Sequence, residues 1–219
     1  MNTSQNHFLQ IYNSRKIALE ILNQVYSYDV SDYEGFSTNE VDSMIQTNQL
    51  DMLLSKTTDD QQIHKTYIQY VIKDMQPDSK LNMISKINQT IEDLYVLTDT
   101  LSKEDCLLII CEDEPNDALV AHIDFMFQNS GIFIVVQCLK RLQFNLLNHD
   151  LVPKVEIMSE EDVKQMCERY QVKTLQQLPE ISRFDPQARA ICVRPGQVCK
   201  FFRKSPTAVE TEYYRLCVA

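Results

Sequence analysis

The first two thirds of the chain alternate between helical and strand-like patterns of apolar residues. Near the start, the positions that follow the 3.6-residue period of a helix are Phe8, Ile11, Tyr12, Ala18, Leu22 and Val25. They predict an opening amphipathic helix. Ser37 and Glu40 then have the spacing of a capping box before Val41, so we expect a short second helix there.

Four apolar runs in the same region are short and rich in β-branched or aromatic residues, which is typical of strands. They cover residues 66–72, 106–111, 131–137 and 142–147. Two helices are expected between them, the first capped by Asp78 or Ser79 and the second beginning at Asp117. Because strands alternate with helices, the sequence predicts an α/β domain with a mixed sheet and flanking helices.

The last third of the chain begins with helical signals. The apolar residues at helical spacing after Ser159 are Val163, Met166, Cys167 and Tyr170. Ser159 is placed to cap the N–H groups of that helix. Asp185 is placed to cap a further helical turn, in which Pro186 takes the first position because its φ is already fixed.

Two adjacent strands are predicted to close the chain. Pro195 and Gly196 fit the central positions of a type II turn that leads into a strand over 197–203. A second turn over 205–208 separates it from a strand over 211–218. Together with the two helical segments, these strands predict a small α+β domain.

The charge of the 219-residue chain is distributed unevenly. It has 21 basic and 31 acidic residues and a net charge of −10, which excludes a stand-alone nucleic-acid binder because such domains are basic. Residues 1–148 carry 10 basic and 21 acidic side chains, whereas residues 149–219 carry 11 and 10. This change predicts two domains, 1–148 and 149–219.

The sequence offers few groups for cofactor or metal chemistry. It has only three glycines, too few for a glycine-rich loop that cradles phosphates. Its seven cysteines include no C-x-x-C pair, which favours a reduced intracellular compartment and argues against structural zinc. No signal peptide or long apolar stretch is evident, so we expect a soluble protein without a cofactor, a metal or a membrane partner.

Six short motifs between His149 and Arg215 resemble one known family. They are HDLVP, LPEI, DPQAR, RPGQV, the R-x-S-x-T-A pattern from Arg203 to Ala208, and YR at 214–215. In this order they resemble the fifth common subunit of eukaryotic DNA-directed RNA polymerases, which is similar to a small subunit of the archaeal polymerase. Cys192 and Val209 stand where this family usually has glycine, so we expect the turns there to bend differently.

The resemblance implies a non-catalytic structural subunit of a multisubunit DNA-dependent RNA polymerase. The C-terminal part would be the assembly domain, which docks on the largest subunit and neighbouring small polymerase subunits. Over residues 1–148, only the order of elements and the length resemble the family's jaw domain, a unit of restriction-endonuclease-like shape near downstream DNA. No homo-oligomer is expected. The polymerase class stays open, and the location would be the nucleus in a cell, or a cytoplasmic viral factory or virion for a large DNA virus.

The resemblance also implies a set of partner-binding residues. These are His149, Pro153, Asp185, Pro186, Arg189, Gly196, Arg203, Ser205, Thr207 and Arg215. Residues 183–204 hold six basic side chains against one acidic side chain, which favours docking on an acidic patch over a merely solvated strand face. His149 is also a candidate ligand or base, but without neighbouring ligands a structural role is favoured. Ser205 and Thr207 fit equally a phosphate or subunit contact and a turn that uses its own hydroxyls.

The acidic loop over 112–117 occupies the position of a proline-containing loop that approaches downstream DNA in the family. Pro115 is present, but four carboxylates around it would repel phosphates at short range. We therefore expect downstream duplex DNA to be contacted at most weakly.

Catalysis is not expected. Nuclease chemistry on a jaw-like fold needs a carboxylate pair and a lysine, usually as an acid-x-Lys triplet on a strand. The only such triplets, 78–80 and 162–164, fall at a predicted turn and on a predicted helix. An alternative of a different class is a free-standing adaptor that binds transcription regulators through the same C-terminal domain.

Overall fold

The computed structural model describes residues 3–57, 63–72 and 82–219. The chain forms two compact units, Met1–Phe144 and Asn145–Ala219. The sequence placed the boundary close to this point, between residues 148 and 149. Each unit contains a mixed sheet with helices, as the predicted α/β and α+β classes require.

Two helices open the first unit. Helix α1 (Thr3–Tyr26) buries the predicted apolar face, including Ile11, Ala18 and Leu22. Helix α2 (Thr38–Gln46) begins with the predicted capping box, in which Ser37 Oγ accepts the Glu40 N–H and the Glu40 carboxylate accepts the Ser37 N–H. Local hydrogen bonds of this kind are readable from sequence, and both helices are confirmed.

A four-stranded sheet forms the centre of the first unit. Strands β1 (Met52–Thr57), β2 (Ile63–Val71), β3 (Cys106–Cys111) and β4 (Phe133–Cys138) lie side by side in chain order. β1 is antiparallel to β2, whereas β2, β3 and β4 are parallel. Every residue of β3 and β4 is buried, which explains their continuous apolar sequences.

Helices α3 (Met83–Ile91) and α4 (Asp117–Ser130) connect the parallel strands, and α3 continues as a π-helical segment, Glu92–Leu97. Their caps differ from those predicted. Asn82 caps α3 by accepting the Ser85 N–H, and Asn116 caps α4 by accepting the Leu119 N–H. The predicted caps Asp78 and Ser79 lie outside the described residues.

The predicted strand over 142–147 is wrong. This stretch forms two 3₁₀ turns, Arg141–Gln143 and Leu146–Asn148. Polar side chains inside the apolar run bond to nearby backbone: Gln143 donates to the Leu139 carbonyl, and Asn145 accepts the Leu147 N–H. Such local bonds favour turns over a sheet ladder. Strand β1 was missed because its sequence, MLLSKT, is not a uniform apolar run.

The second unit is built on a sheet of four strands in the order β5-β7-β8-β6. They are β5 (Lys154–Ile157), β6 (Glu180–Ser182), β7 (Val198–Ser205) and β8 (Val209–Val218). β7 is antiparallel to β5 and β8, and β6 is parallel to β8. The predicted pair β7 and β8 is confirmed, whereas the short strands β5 and β6 were missed.

Two helices complete the second unit, α5 (Glu160–Tyr170) and α6 (Pro186–Ala190). Both caps are as predicted: Ser159 accepts the Asp162 N–H, and Asp185 accepts the Gln187 N–H with proline following at the first helical position. Helix α5 packs through Met166 against Val198 and Leu216. Since alternate strand residues face opposite ways, α5 covers the even-numbered face of β7 and β8.

Candidate functional site

The uncovered part of the odd-numbered face of β7 and β8 carries a stack of two arginines and one tyrosine. The guanidinium carbon of Arg203 lies 4.8 Å from the centre of the Tyr213 ring, and that of Arg215 lies 5.4 Å from it. The strand register produces this arrangement because Phe201 pairs with Tyr213, which puts Arg203 and Arg215 on the same face. Cation–π attraction holds both charged groups against the ring.

The charges of this stack are not neutralised within the described part of the chain. Neither Arg203 nor Arg215 forms an ion pair with a described carboxylate, and the Arg215 guanidinium instead donates to the Glu180 carbonyl at 3.5 Å. Arg203 is exposed and Arg215 is half-buried. We call Arg203, Tyr213 and Arg215 the arginine stack, and it presents two positive charges to the surroundings.

The even-numbered face is different because its cations are paired. Lys200 Nζ lies 2.6 Å from a Glu212 carboxylate oxygen, and Lys154 Nζ lies 2.8 Å from one of Glu156. Both ammonium groups also lie near the Phe202 ring. The hydrogen bond from Lys200, and then that from Tyr214, holds the pKa of Glu212 below its usual range. The lysine charges are therefore compensated inside the unit.

Two other predicted basic residues are buried. Arg183 is 4% exposed and Arg189, on α6, is 7% exposed. Their guanidinium groups are thus not available on the surface of the folded unit. Burial of Arg189 favours a role in folding, and its partner-binding role stays a prediction.

The segment that starts at His149 is a turn. His149 Nδ1 accepts the Leu151 N–H at 3.2 Å, and its carbonyl accepts the Val152 N–H at 2.9 Å. These bonds support the structural interpretation of this histidine. The Pro153 carbonyl accepts a hydrogen bond of 2.7 Å from the Gln187 amide, which ties β5 to α6, while Pro186 is exposed.

The two predicted turns on either side of β7 are present. Gly196 has a φ of +92°, and the Gln197 N–H bonds to the Arg194 carbonyl at 3.1 Å, as in a type II turn. Ser205 Oγ accepts the N–H groups of Thr207 and Ala208 at 3.4 and 3.3 Å. The Ser205 hydroxyl therefore serves the turn itself, which favours the turn interpretation of this motif over phosphate binding.

Both positions where the family usually has glycine keep a left-handed backbone. Cys192 has a φ of +48° and Val209 a φ of +61°. The altered bend expected from the sequence is not seen, because the side chains adopt the conformation that glycine would favour. For Val209 this is strained, since it is β-branched and 84% exposed, so little packing compensates for the strain.

Replacing Val209 by glycine is expected to stabilise the second unit. A left-handed conformation costs a residue with a side chain about 1–2 kcal/mol, and glycine loses about 0.5–1 kcal/mol more entropy on folding. We therefore expect Val209→Gly to raise the free energy of unfolding by about 0.5–1 kcal/mol in urea denaturation. Ala208→Gly is the control, because its φ is not positive, and it should not stabilise. A lower urea midpoint for Val209→Gly would contradict the strain.

The acidic loop over 112–117 joins β3 to α4 in the first unit. Glu114 forms an ion pair with Arg141, and Glu112 lies 3.8 Å from His7 Nε2. Pro115 is half-buried, between exposed Glu114 and the capping residue Asn116. A DNA contact by Pro115 stays a prediction.

Candidate catalytic and metal-binding groups are sparse. Across residues 3–57, 63–72 and 82–219, no three His, Cys, Asp or Glu side chains cluster as metal ligands would. The triplet at 162–164 lies on α5, as expected, and that at 78–80 lies outside the described residues. The seven cysteines are free thiols. Burial raises the pKa of Cys111 and Cys199 to about 12, so these two are held as neutral thiols at neutral pH.

Helices of membrane-spanning length and hydropathy do not occur among the described residues. The longest, α1, has 24 residues and carries charged side chains such as Arg15, Lys16 and Glu20 within it.

Comparison with known proteins identifies relatives of the second unit. The family model described as "RNA polymerase Rpb5, C-terminal domain" matches residues 144–217. The protein named DNA-directed RNA polymerase subunit Rpo5 of Pyrococcus abyssi is 43% identical over 76 residues, which are 35% of this chain and 92% of that protein. The Rpo5 protein of Methanococcoides burtonii is 45% identical over 76 residues, or 96% of its length. That of Thermococcus onnurineus is 42% identical over 76 residues, or 92% of its length.

Proposed function

The chain belongs to the Rpb5 family of RNA polymerase subunits, and we propose that it acts as a non-catalytic structural subunit of a multisubunit DNA-dependent RNA polymerase. The observation that carries this proposal is the match of residues 144–217, which covers nearly all of the second unit. The archaeal relatives consist almost entirely of that matched region. The second unit is therefore the part of the chain that we assign to assembly.

The largest polymerase subunit is the partner that we assign to this unit, with small subunits beside it. The arginine stack supports this role because arginine and tyrosine are enriched at the centres of protein interfaces. Its two uncompensated charges call for an acidic patch on the partner, which would fix the orientation of docking. A stable interface of this kind buries on the order of 1,200–2,000 Å².

The first unit extends the lower jaw beside downstream DNA in this proposal. The sheet with parallel strands β2, β3 and β4 and the acidic loop over 112–117 support it by their order along the chain. Because residues 1–148 carry 10 basic and 21 acidic side chains, duplex DNA is contacted weakly. The site of action follows the host polymerase, in the nucleus of a cell, or in a viral factory or virion.

Affinity purification of the tagged full-length chain tests the proposal directly. A polymerase subunit should copurify with the largest subunit in a one-to-one ratio and elute in a particle far larger than the chain itself. The adaptor alternative has no support from the relatives, since all three are named as polymerase subunits. Elution of the chain alone, or only with regulators, would overturn the proposal in favour of that alternative.

A further inference from the structure

A cavity of about 690 Å³ lies in the first unit, between α1 and the segment that leads into α2. Apolar side chains such as Leu19 and Val41 line it together with the rings of Tyr33 and Phe36. Its volume falls within the range of about 300–1,000 Å³ that is usual for ligand pockets. The family match begins at residue 144 and does not include this cavity.

Arg15 is the buried charge of the cavity. It lines the wall and is only 4% exposed. One of its terminal nitrogens donates to the Leu50 carbonyl at 2.8 Å, but its Nε has no hydrogen-bond partner among the described residues. The charged groups that act on it are Tyr70 and Tyr33 rather than a carboxylate, and burial lowers the pKa of the guanidinium. A buried cation without a counter-charge is costly, so an incoming carboxylate would stabilise it.

Two aromatic rings hold the guanidinium in place. Its central carbon lies 5.8 Å from the centre of the Tyr33 ring and 5.5 Å from that of Phe36. These contacts and the bond to Leu50 limit the rotation of the side chain. The donor group is therefore oriented before any ligand arrives, which reduces the entropy cost of binding.

The remaining lining residues carry both signs of charge. Lys16, Glu20 and Glu34 line the cavity, as do the amides of Asn23 and Gln24. A free anion would meet two carboxylates there and be repelled. A peptide brings backbone N–H groups that such carboxylates and amides can accept, and it can present an acidic and a basic side chain together.

We propose that this cavity binds a peptide segment of a partner protein in which an acidic residue lies beside an apolar residue and near a basic one. The acidic side chain pairs with Arg15 between Tyr33 and Phe36. The apolar side chain contacts Leu19 and Val41, and the basic one meets Glu34 at the rim. This site is separate from the docking of the second unit and does not depend on it.

A positional-scanning array of hexapeptides, probed with the full-length chain, tests this inference. We expect the array to select Asp or Glu at one position, an apolar residue next to it and Lys or Arg close by. Arg15→Met should weaken binding of the best peptide by about 10-fold or more, as expected for loss of a charged hydrogen bond. Phe36→Ala should weaken it as well while leaving Arg15 in place, and Glu34→Gln should remove only the preference for a basic residue.

Lys140→Met is the matched control, since it removes an exposed positive charge that does not line the cavity, and it should bind the best peptide as the unaltered chain does. The NMR signal of the Arg15 Nε–H group should shift with that peptide and not with its Gln or Asn counterpart. Absence of acidic selection, or unchanged binding by both Arg15→Met and Phe36→Ala, would overturn the proposal. Equal affinity for sodium acetate and for the best peptide would overturn it too, in favour of a small carboxylic acid.

Discussion

Reversing the charge of the arginine stack with Arg203→Glu and Arg215→Glu together is expected to release the chain from its polymerase. An interface that matches two positive charges with an acidic patch would then bring like charges together. Losing close charge pairs typically costs about 2–5 kcal/mol, so affinity should fall at least about 30-fold. Recovery of the largest subunit with the tagged variant at physiological salt measures this loss.

The matched control is Lys164→Glu with Lys173→Glu, which makes the same charge change. Both lysines are exposed, on α5 or just after it. Because α5 covers the opposite face of the sheet, this variant should copurify with the polymerase as the unaltered chain does. Arg203→Glu alone changes an exposed residue and should give a smaller loss in the same direction. If the double variant of the stack were recovered in full with the largest subunit, the assignment of this face would fail.

Arg189→Glu is expected to unfold the second unit rather than to weaken docking selectively. Arg189 is 7% exposed on α6, where a carboxylate would replace a buried guanidinium. Leaving a buried charge without its partners costs about 3–5 kcal/mol, a large part of a domain stability of about 5–15 kcal/mol. The near-ultraviolet circular dichroism and the amide NMR signals of residues 145–219 should therefore collapse or broaden.

Arg203→Glu serves as the control for folding, since it makes the same substitution at an exposed position of the same sheet. It should keep a melting temperature within a few degrees of the unaltered chain. A folded Arg189→Glu variant that has lost only its polymerase would show that Arg189 reaches the partner after all. The two substitutions thus separate a docking residue from a folding residue within one predicted set.

The second unit was predicted well where local chemistry decides the structure. Ser159 and Asp185 cap their helices as expected, and Gly196 has the positive φ that its turn requires. Each of these features depends on residues that are two to four positions apart, so their signals lie in the sequence itself. The order of the family motifs added what no single feature could indicate, namely membership of the family.

Elements that depend on distant pairing were predicted less well. Strands β5 and β6 are short and owe their extended form to neighbours far along the chain, β7 and β8. The run over 142–147 looked like a strand, but its polar side chains bond to local backbone and no partner strand pairs with it. Strand pairing is non-local, so apolar composition alone could not settle either case.

By itself, the sequence determined the family, the two-part organisation and most local caps and turns, because short-range hydrogen bonds and fixed backbone angles carry those signals. Only the tertiary structure decided the fate of each charged group. Arg189 and Arg203 look alike in the sequence, yet one is buried and the other stacks on Tyr213 at the surface. The cavity at Arg15 likewise needs α1 to meet Tyr33 and Phe36. Exposure and counter-charge arise from contacts between residues that are distant along the chain, and folding alone brings those together.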